Sequence, residues 1–455
     1  MTTAQVEADE YARSIFVPRQ LAYNPILENA LMLDAKMNTD WNYIISVKPI
    51  YIQSVGSKLN SYFLPCHKSC VNIQEDGSGD VSSLWFNVIS SDDTFYSSTL
   101  SLKAKQQKYG ALLYAAVQIP CDFQLSLMTA FVQARNKMDV CEGGVENLGT
   151  CGFGTVAQSL ASRERAFGRI CGTQTKAGVD DIQIKALYSP SNSDCISWDV
   201  YGLLGIPTGR GSKANYLFEP LVGSKHVQLG FGSDMQWNAL EADCGTLSLL
   251  SEIKYRYGFS AKECRSFDLK NNCQWSRYML LVDQADPYAF APAINSLTFN
   301  TKVTPGSSLD LYLATHFNHQ DWNFELGYDL WYRSAEKISL CCKNYPATIG
   351  IADLRGIAAQ GPFTASTANI TQGVQPGVNQ IMSDTAFVPV TMQDIACFSG
   401  AQARSLSNSF YASVGYKFDI SCYTFQVGAN VAYEQGSLNH TPNNVMTWLN
   451  MDLSF

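Results

Sequence analysis

Five histidines and fourteen cysteines are the side chains of this 455-residue sequence best able to do chemistry, and their spacing decides whether they can act together. Asp310 and His316 fall on one parity of an alternating segment, so they face the same way. Six steps along a strand is about 20 Å, too far for a proton-sharing pair. No Gly-x-Ser-x-Gly nucleophile elbow occurs, His226 stands alone, and His319 and Asp321 read as turn residues. Cys66-His67-Lys68-Ser69-Cys70 and the adjacent Cys341 and Cys342 offer soft ligands, but without finger or ribbon spacing and without a partner histidine cluster. Neither catalysis nor a bound metal or cofactor is expected.

Around these residues lie 32 basic and 40 acidic side chains, a formal charge of −8. No basic run exists to neutralise phosphates, which argues against nucleic acid. Charged residues are only 16% of the chain, against roughly 25% in ordinary soluble domains, while aromatics reach 12%. No stretch approaches 18 consecutive apolar residues, so membrane-spanning helices are excluded. The first ten residues are acidic and carry neither the basic nor the apolar region of a signal peptide. With so many cysteines, the expectation is a mature form in an oxidising compartment, its signal peptide already removed.

The elements that position these residues follow from a period of two. Trp322, Phe324, Leu326, Tyr328, Leu330 and Tyr332 alternate with Asn323, Glu325, Gly327, Asp329, Trp331 and Arg333; residues 410–418, 423–434 and 445–455 behave likewise. Side chains alternate across a strand, so one face is greasy and the other polar. A half-buried strand of a soluble sandwich alternates too, but it runs about 5–6 residues. These run for roughly 10–13, the length a tilted strand needs to cross a bilayer.

The expected fold is all-β: a transmembrane antiparallel barrel of about fourteen strands, within a range of about 12 to 16. The strands fall near 41–53, 81–90, 94–105, 109–119, 122–134, 181–188, 196–207, 225–238, 246–258, 308–318, 322–333, 405–418, 422–434 and 443–455, and residues 294–303 are a further candidate. Short turns alternate with long connections, which puts both termini on the short-turn, periplasmic side. The barrel occupies 41–455, with long Cys-rich extracellular loops at about 54–80, 134–180, 259–307 and 334–403. Residues 1–40 form a separate N-terminal segment. Its Pro25, Ile26, Leu27, Ala30, Leu31, Leu33 and Met37 have near-helical spacing, with Glu28 early and Lys36 late. A short amphipathic helix of this kind would cover its apolar face by folding into the barrel as a plug; a frayed terminus or a docking segment is the alternative.

By parity, the lumen is lined by Lys48, Asp199, Glu252, Lys254, Arg256, Asp310, His316, Glu325, Asp329, Arg333, Lys417, Glu434 and Asp452. The bland reading is a hydrated, salt-bridged interior that holds the barrel's shape; the functional one is a lining that tunes which solutes pass. The signs are mixed, so strong ion selectivity does not follow. Cys121, Cys195, Cys244 and Cys422 sit at or beside short turns, whereas Cys66, Cys70, Cys141, Cys151, Cys171, Cys264, Cys273, Cys341, Cys342 and Cys397 lie in long loops, none of them mid-strand. Four and ten are both even, so disulfides within each side are expected, each worth about 2–4 kcal/mol in loops without a core of their own. Their connectivity stays open, and chain-to-chain links are an alternative.

Leu449, Met451, Leu453 and terminal Phe455 resemble the C-terminal assembly signal of Gram-negative outer-membrane barrels. Residues 197–209 (Ser-Trp-Asp-Val-Tyr-Gly-Leu-Leu-Gly-Ile-Pro-Thr-Gly) followed by 227–232 (Val-Gln-Leu-Gly-Phe-Gly), together with Asn24-Pro25, resemble the FadL and phenol-degradation type of outer-membrane transporter. That resemblance covers about 45 residues, and the cysteine-rich loops depart from it. It implies about fourteen strands, an N-terminal plug and hydrophobic substrates.

The functional expectation is an outer-membrane channel or transporter for passive passage of small molecules, hydrophobic ones among them. Outer-membrane lipid, the barrel-assembly machinery and a small-molecule solute are the expected partners; the oligomeric state is open. A structural or adhesive barrel with disulfide-stabilised surface loops is the alternative, and a soluble secreted β-protein a third reading.

Overall fold

Where apolar and polar residues alternate for a dozen positions the chain forms a strand, and twelve such strands pair in chain order into a closed wall. The structure, a computed structural model, describes residues 11–32, 43–90, 94–193, 195–242, 245–283, 286–340, 349–352 and 387–455. The wall strands are β1 (Tyr43–Val55), β2 (Ser97–Ile119), β3 (Phe123–Glu146), β4 (Ile182–Asn192), β5 (Ile196–Ile206), β6 (Gln228–Ala242), β7 (Gly245–Gly258), β8 (Gly306–His319), β9 (Trp322–Arg333), β10 (Ser405–Ile420), β11 (Tyr423–Gly436) and β12 (Asn443–Ser454). Each is antiparallel to its neighbours, and β1 pairs with β12 to close the circle. At that seam the Tyr43 N–H donates to the Phe455 carbonyl at 2.9 Å and the Phe455 N–H donates back at 3.1 Å. Closure leaves the wall without an open edge.

Twelve is the lower end of the expected range, and the difference has two sources. Residues 94–105 and 109–119 belong to one strand, because 103–108 is polar but holds no Gly, Pro or Asn to turn the chain and keeps its alternation. Residues 81–90 do not cross the wall: they make a 3-10 turn, Ser83–Phe86, flanked by two-residue bridges. β3 likewise runs on to Glu146, so the β2–β3 hairpin stands well beyond the wall where a loop from 134 was expected. Residues Thr298–Thr304 are a strand, but in a small sheet with Ala261–Ser266 and Lys337–Ser339 outside the wall.

Short connections lie at one end, joining β2 to β3, β4 to β5, β6 to β7, β8 to β9 and β10 to β11, and long connections at the other. Gln320 and Ser421 take positive φ, as tight hairpin connections require. β1 starts and β12 ends at the short-turn end, as expected. The described N-terminal residues do not stay there. Tyr11 bonds the Cys273 carbonyl and Arg13 the Phe398 carbonyl, both among the long connections, while Leu31 lies near the short-turn end against Gly415 and Gly428. Residues 11–32 thus run the length of the lumen.

The outward face carries Trp322, Phe324, Leu326, Phe410, Val431, Leu449 and Met451, all exposed, and the inward face is buried: Leu326 is 64% accessible and neighbouring Glu325 1%. So extensive an apolar belt is stable only against an apolar medium, which a bilayer supplies. Inside, the wall is two-sided. Leu112, Tyr114, Ala116, Met128, Ala130 and Val132 of β2 and β3 form an apolar patch, while β4 and β7 to β9 present most of the charges.

The long connections build a core of their own. Tyr62, Phe63, Phe86, Trp275, Tyr278 and Ile294 are buried together, and Phe267, Met279, Leu281, Leu297 and Ile395 make a second cluster. Arg277 holds Asp268 through Nε at 2.8 Å and Nη2 at 2.6 Å, with both side chains buried. This packing corrects the disulfide expectation. Cys66, Cys70, Cys121, Cys141, Cys171, Cys195, Cys273, Cys397 and Cys422 are free thiols, and no disulfide occurs among the described residues. Apolar burial orders the loops in their place. Cys141 lies within β3 and Cys264 within the Ala261–Ser266 strand, so the expectation that no cysteine falls mid-strand also fails. Cys244, Cys341 and Cys342 lie outside the described residues.

Replacing Leu326 by Arg should cost about 2–4 kcal/mol of barrel stability in a bilayer, because a charge is then set against lipid. Denaturant titration of the reconstituted protein measures it, and an unchanged midpoint would mean that this face does not meet lipid.

Candidate functional site in the lumen

Sequence chemistry starts the inner segment: Asn24 accepts a hydrogen bond from the Ile26 N–H at 3.1 Å, and Pro25 opens a short helix, α1 (Pro25–Asn29). The helix is five residues long, shorter than the spacing suggested. It stops where Leu31 takes φ +60°. Leu33, Lys36 and Met37 lie outside the described residues. Ile26, Leu27 and Ala30 pack in the same cluster as the apolar patch of β2 and β3.

The polar face of α1 meets the charged side of the wall. Glu28 receives Lys254 Nζ at 2.7 Å, Lys185 Nζ at 3.2 Å and Gln183 Nε2 at 3.2 Å; both lysines also reach Glu252, and Lys185 reaches Asp234 at 3.3 Å. Asn29 Nδ2 donates to Glu252 at 2.7 Å. Backbone groups are captured as well: Lys48 donates to the Leu27 carbonyl at 2.7 Å, Asn450 to Ala30 at 2.8 Å, and Arg256 to Tyr23 at 2.8 Å. Glu325 accepts from the Leu31 N–H at 3.2 Å and from Tyr312 and Tyr411, with His316 at 3.1 Å. The Tyr411 ring lies where any side chain at 327 would be, so Gly327 leaves room for this cluster.

Further up, Arg19 bridges Asp310 and Asp329, the latter at 2.7 Å, and Arg256 holds the other oxygen of Asp310 at 2.5 Å. Asp310 and His316 therefore engage different partners on one strand. Of the remaining parity-assigned residues, Glu434 is held by Ser407 and Asn444 at 2.7 Å each, and Asp452 is buried opposite Ser46 in the β1–β12 register. Asp199 and Lys417 are half-buried. Arg333 Nη1 reaches the Val17 carbonyl at 3.3 Å. Parity thus places most of the thirteen inside, but the pattern missed Lys185, which shares its parity with Gln183, and it missed Arg19 and Glu28 as their partners.

The segment that resembles a transporter motif is where the inner chain is clamped. Beyond β5, Thr208 Oγ1 donates to the Asp180 carbonyl at 2.7 Å, and Gly209 packs on Gly223 too closely for any Cβ. Asp180 accepts the Leu21 N–H at 2.6 Å; Asp181 takes Tyr23 Oη at 3.2 Å and Ser224 N at 2.7 Å. Burial, with Asp181 beside it, pushes Asp180 up to about 6.

Two cavities flank the inner segment at the loop end. One, of about 90 Å³, lies between residues 17–23 and β6 to β9, lined by Arg256, Trp331 and Arg333 with His226, Glu263 and Arg265 above them. The other, of about 50 Å³, lies against β1, β2 and β10 to β12, with Lys108 and Glu434 in its wall. His226 Nδ1 donates to the Phe259 carbonyl at 2.8 Å, and Nε2 faces the Glu263 carboxylate at 2.9 Å. Burial pulls its pKa down, but the Glu263 carboxylate and that carbonyl outweigh it and hold it above the usual value. Burial would raise Glu263, yet Arg265 and His226 bring it to about 2. Among the described residues no group of three metal-ligating side chains occurs.

No family model matches the chain, and no curated protein matches it. Solved structures similar to it are barrels of the outer membrane. An outer membrane channel from Pseudomonas putida F1 is 9% identical with a TM-score of 0.40, covering 91% of this chain and 96% of that one. The transport unit of the autotransporter AIDA-I from Escherichia coli is 8% identical, TM-score 0.37, with 95% and 97% covered. The Pseudomonas putida toluene transporter TodX is 8% identical, TM-score 0.29, with 98% and 96% covered. Likeness this distant adds no weight to the fold, which rests on the strand pairing itself.

Arg19→Met would strand Asp329, whose carboxylate has no other cation within bonding distance among the described residues. A loss of about 3–5 kcal/mol is expected, and Asp329→Asn in the same chain should restore much of it. Thermal melting together with proteolysis of residues 11–32 reads both. The His226–Glu263 contact stabilises the fold below the ordinary histidine value near 6.5 and is lost as pH rises through the higher folded value. The Glu263 share is present at neutral pH and lost only as pH falls toward about 2. His226→Gln should cost about 1.5–3 kcal/mol at about pH 6 and much less near pH 9. Equal losses at both pH values would show that the pair is not charged.

Proposed function

We propose that this chain is a channel of the bacterial outer membrane, with residues 41–455 as the transmembrane barrel and residues 1–40 as a segment that closes the lumen. The observation that carries this reading is how the inner segment is held. Arg19, Glu28, Asn29 and the backbone from Val17 to Leu31 are bound by hydrogen bonds and ion pairs to inward residues of the wall, with no covalent tie among the described residues. Contacts of that kind are individually reversible, and water or solute can replace them. A wall charged on one side and apolar on the other suits a solute with both characters.

In this reading the buried cations and carboxylates of the lumen become the pore lining once the segment moves, and the two loop-end cavities are where a solute first meets it. The outward apolar belt faces lipid. The alternating C-terminus, with Leu449, Met451 and Phe455 directed outward, is the part offered to the barrel-assembly machinery. The segment needs only to shift, not to leave, for small molecules to pass passively.

The packed loop cap favours a second reading, a closed structural or adhesive barrel in which the cap is the working surface. Deleting residues 2–38 separates the two. A gated channel gives discrete conductance steps in planar bilayers for the deleted chain and few or none for the full one. A deleted barrel that assembles but stays silent would leave the structural reading standing.

A further inference from the structure

We propose that the loop-end cavity beside residues 17–23 is a binding site for a small organic carboxylate, received by Arg333. The inference rests on the channel reading and names a solute class for it. The cationic groups on the cavity wall are Arg19, Arg256, Arg265, Arg333 and His226, and the anionic ones Glu263 and Glu336. Asp310 and Asp329 stand behind the first two arginines and pair with them. Glu263 serves His226 and Arg265, and Glu336 serves Arg265 and the Gln402 N–H. Every cation but one is matched.

Arg333 is the exception. Its guanidinium makes two long hydrogen bonds, to the Val17 carbonyl at 3.3 Å and the Ser405 hydroxyl at 3.4 Å, both neutral acceptors. No carboxylate lies within ion-pair distance of it among the described residues. Of the buried guanidinium Nε atoms that make no hydrogen bond, those of Arg19, Arg265 and Arg333 belong to this cavity. Buried arginine donors left unmade are costly, and a carboxylate, which accepts through two oxygens in the plane of the guanidinium fork, is the group that satisfies them. The Arg19 and Arg333 guanidinium groups both lie over the Trp331 ring, 5.3 and 5.5 Å from its centre, which helps to orient them. Val17, Pro18, Leu221 and Pro305 supply an apolar wall for the rest of the molecule. A space of about 90 Å³, smaller than the roughly 150 Å³ that holds benzene, takes a few waters or one short aliphatic acid.

The test is calorimetric titration of the full-length, detergent-solubilised protein with propionate, with propionamide, which has the same shape without the charge, and with inorganic phosphate, which has the charge without the apolar body. Propionate should bind saturably, and the other two at least about tenfold more weakly. Arg333→Met should weaken propionate by a similar factor and leave propionamide unchanged. Propionamide or phosphate binding as tightly as propionate, or no propionate binding at all, would overturn the assignment, and the comparison of ligands on the unaltered chain does not depend on the variant folding. Because binding is read without conduction, a silent channel and an empty site are separate failures.

Discussion

The closed backbone pairing of the wall is the constraint on which everything else depends. Each of the twelve strands is bonded on both sides, with β1 and β12 joined through Tyr43 and Phe455. A wall closed in this way divides side chains into two sets with no third choice, since a strand points alternate residues in opposite directions. The outward set is apolar. Where the strands carry that apolar belt, their charge is therefore forced inward, into a space only a few side chains wide.

Charges gathered in such a space need partners, and neighbouring strands supply only some of them. Glu252 is reached by Lys254 and Lys185, but among the described residues Asp329 has no cation on the wall within bonding distance and is met by Arg19 of the inner segment. The segment also brings apolar Ile26, Leu27 and Ala30 to the patch on β2 and β3. Its two-sided character thus matches a two-sided lumen. Removing a buried charge from one side of such a match costs more than the pair contributes, because the survivor stays desolvated. This gives the segment a definite register along the wall, from Arg13 among the loops to Leu31 near the short turns.

The loops show a similar economy of means. Free thiols in a chain with fourteen cysteines look out of place until the loop interior is considered. Tyr62, Phe63, Trp275 and Tyr278 bury enough aromatic surface to order the connections, and Arg277 with Asp268 ties the start of the inner segment into them through the Ala12 carbonyl at 3.0 Å.

Period-two alternation determined a good deal without any tertiary information. It placed β9, β10, β11 and β12 to within a few residues, and the alternation of short and long connections set the two ends of the barrel. It also put Lys48, Glu252, Lys254, Asp310, Glu325 and Asp329 on the inner face, because parity is a local property of an extended chain. Asn24-Pro25 marked the start of α1 for the same local reason. What local pattern could not decide was anything that depends on which chains meet. The continuity of β2 through 103–108 was settled by pairing with β3, which keeps a polar stretch in register that alone reads as a break. The path of residues 11–32 through the lumen, the meeting of Arg19 with Asp310 and Asp329 across about 300 residues, and the state of the cysteines were decided only by packing. Contacts between segments so far apart in sequence leave no periodic trace in either one.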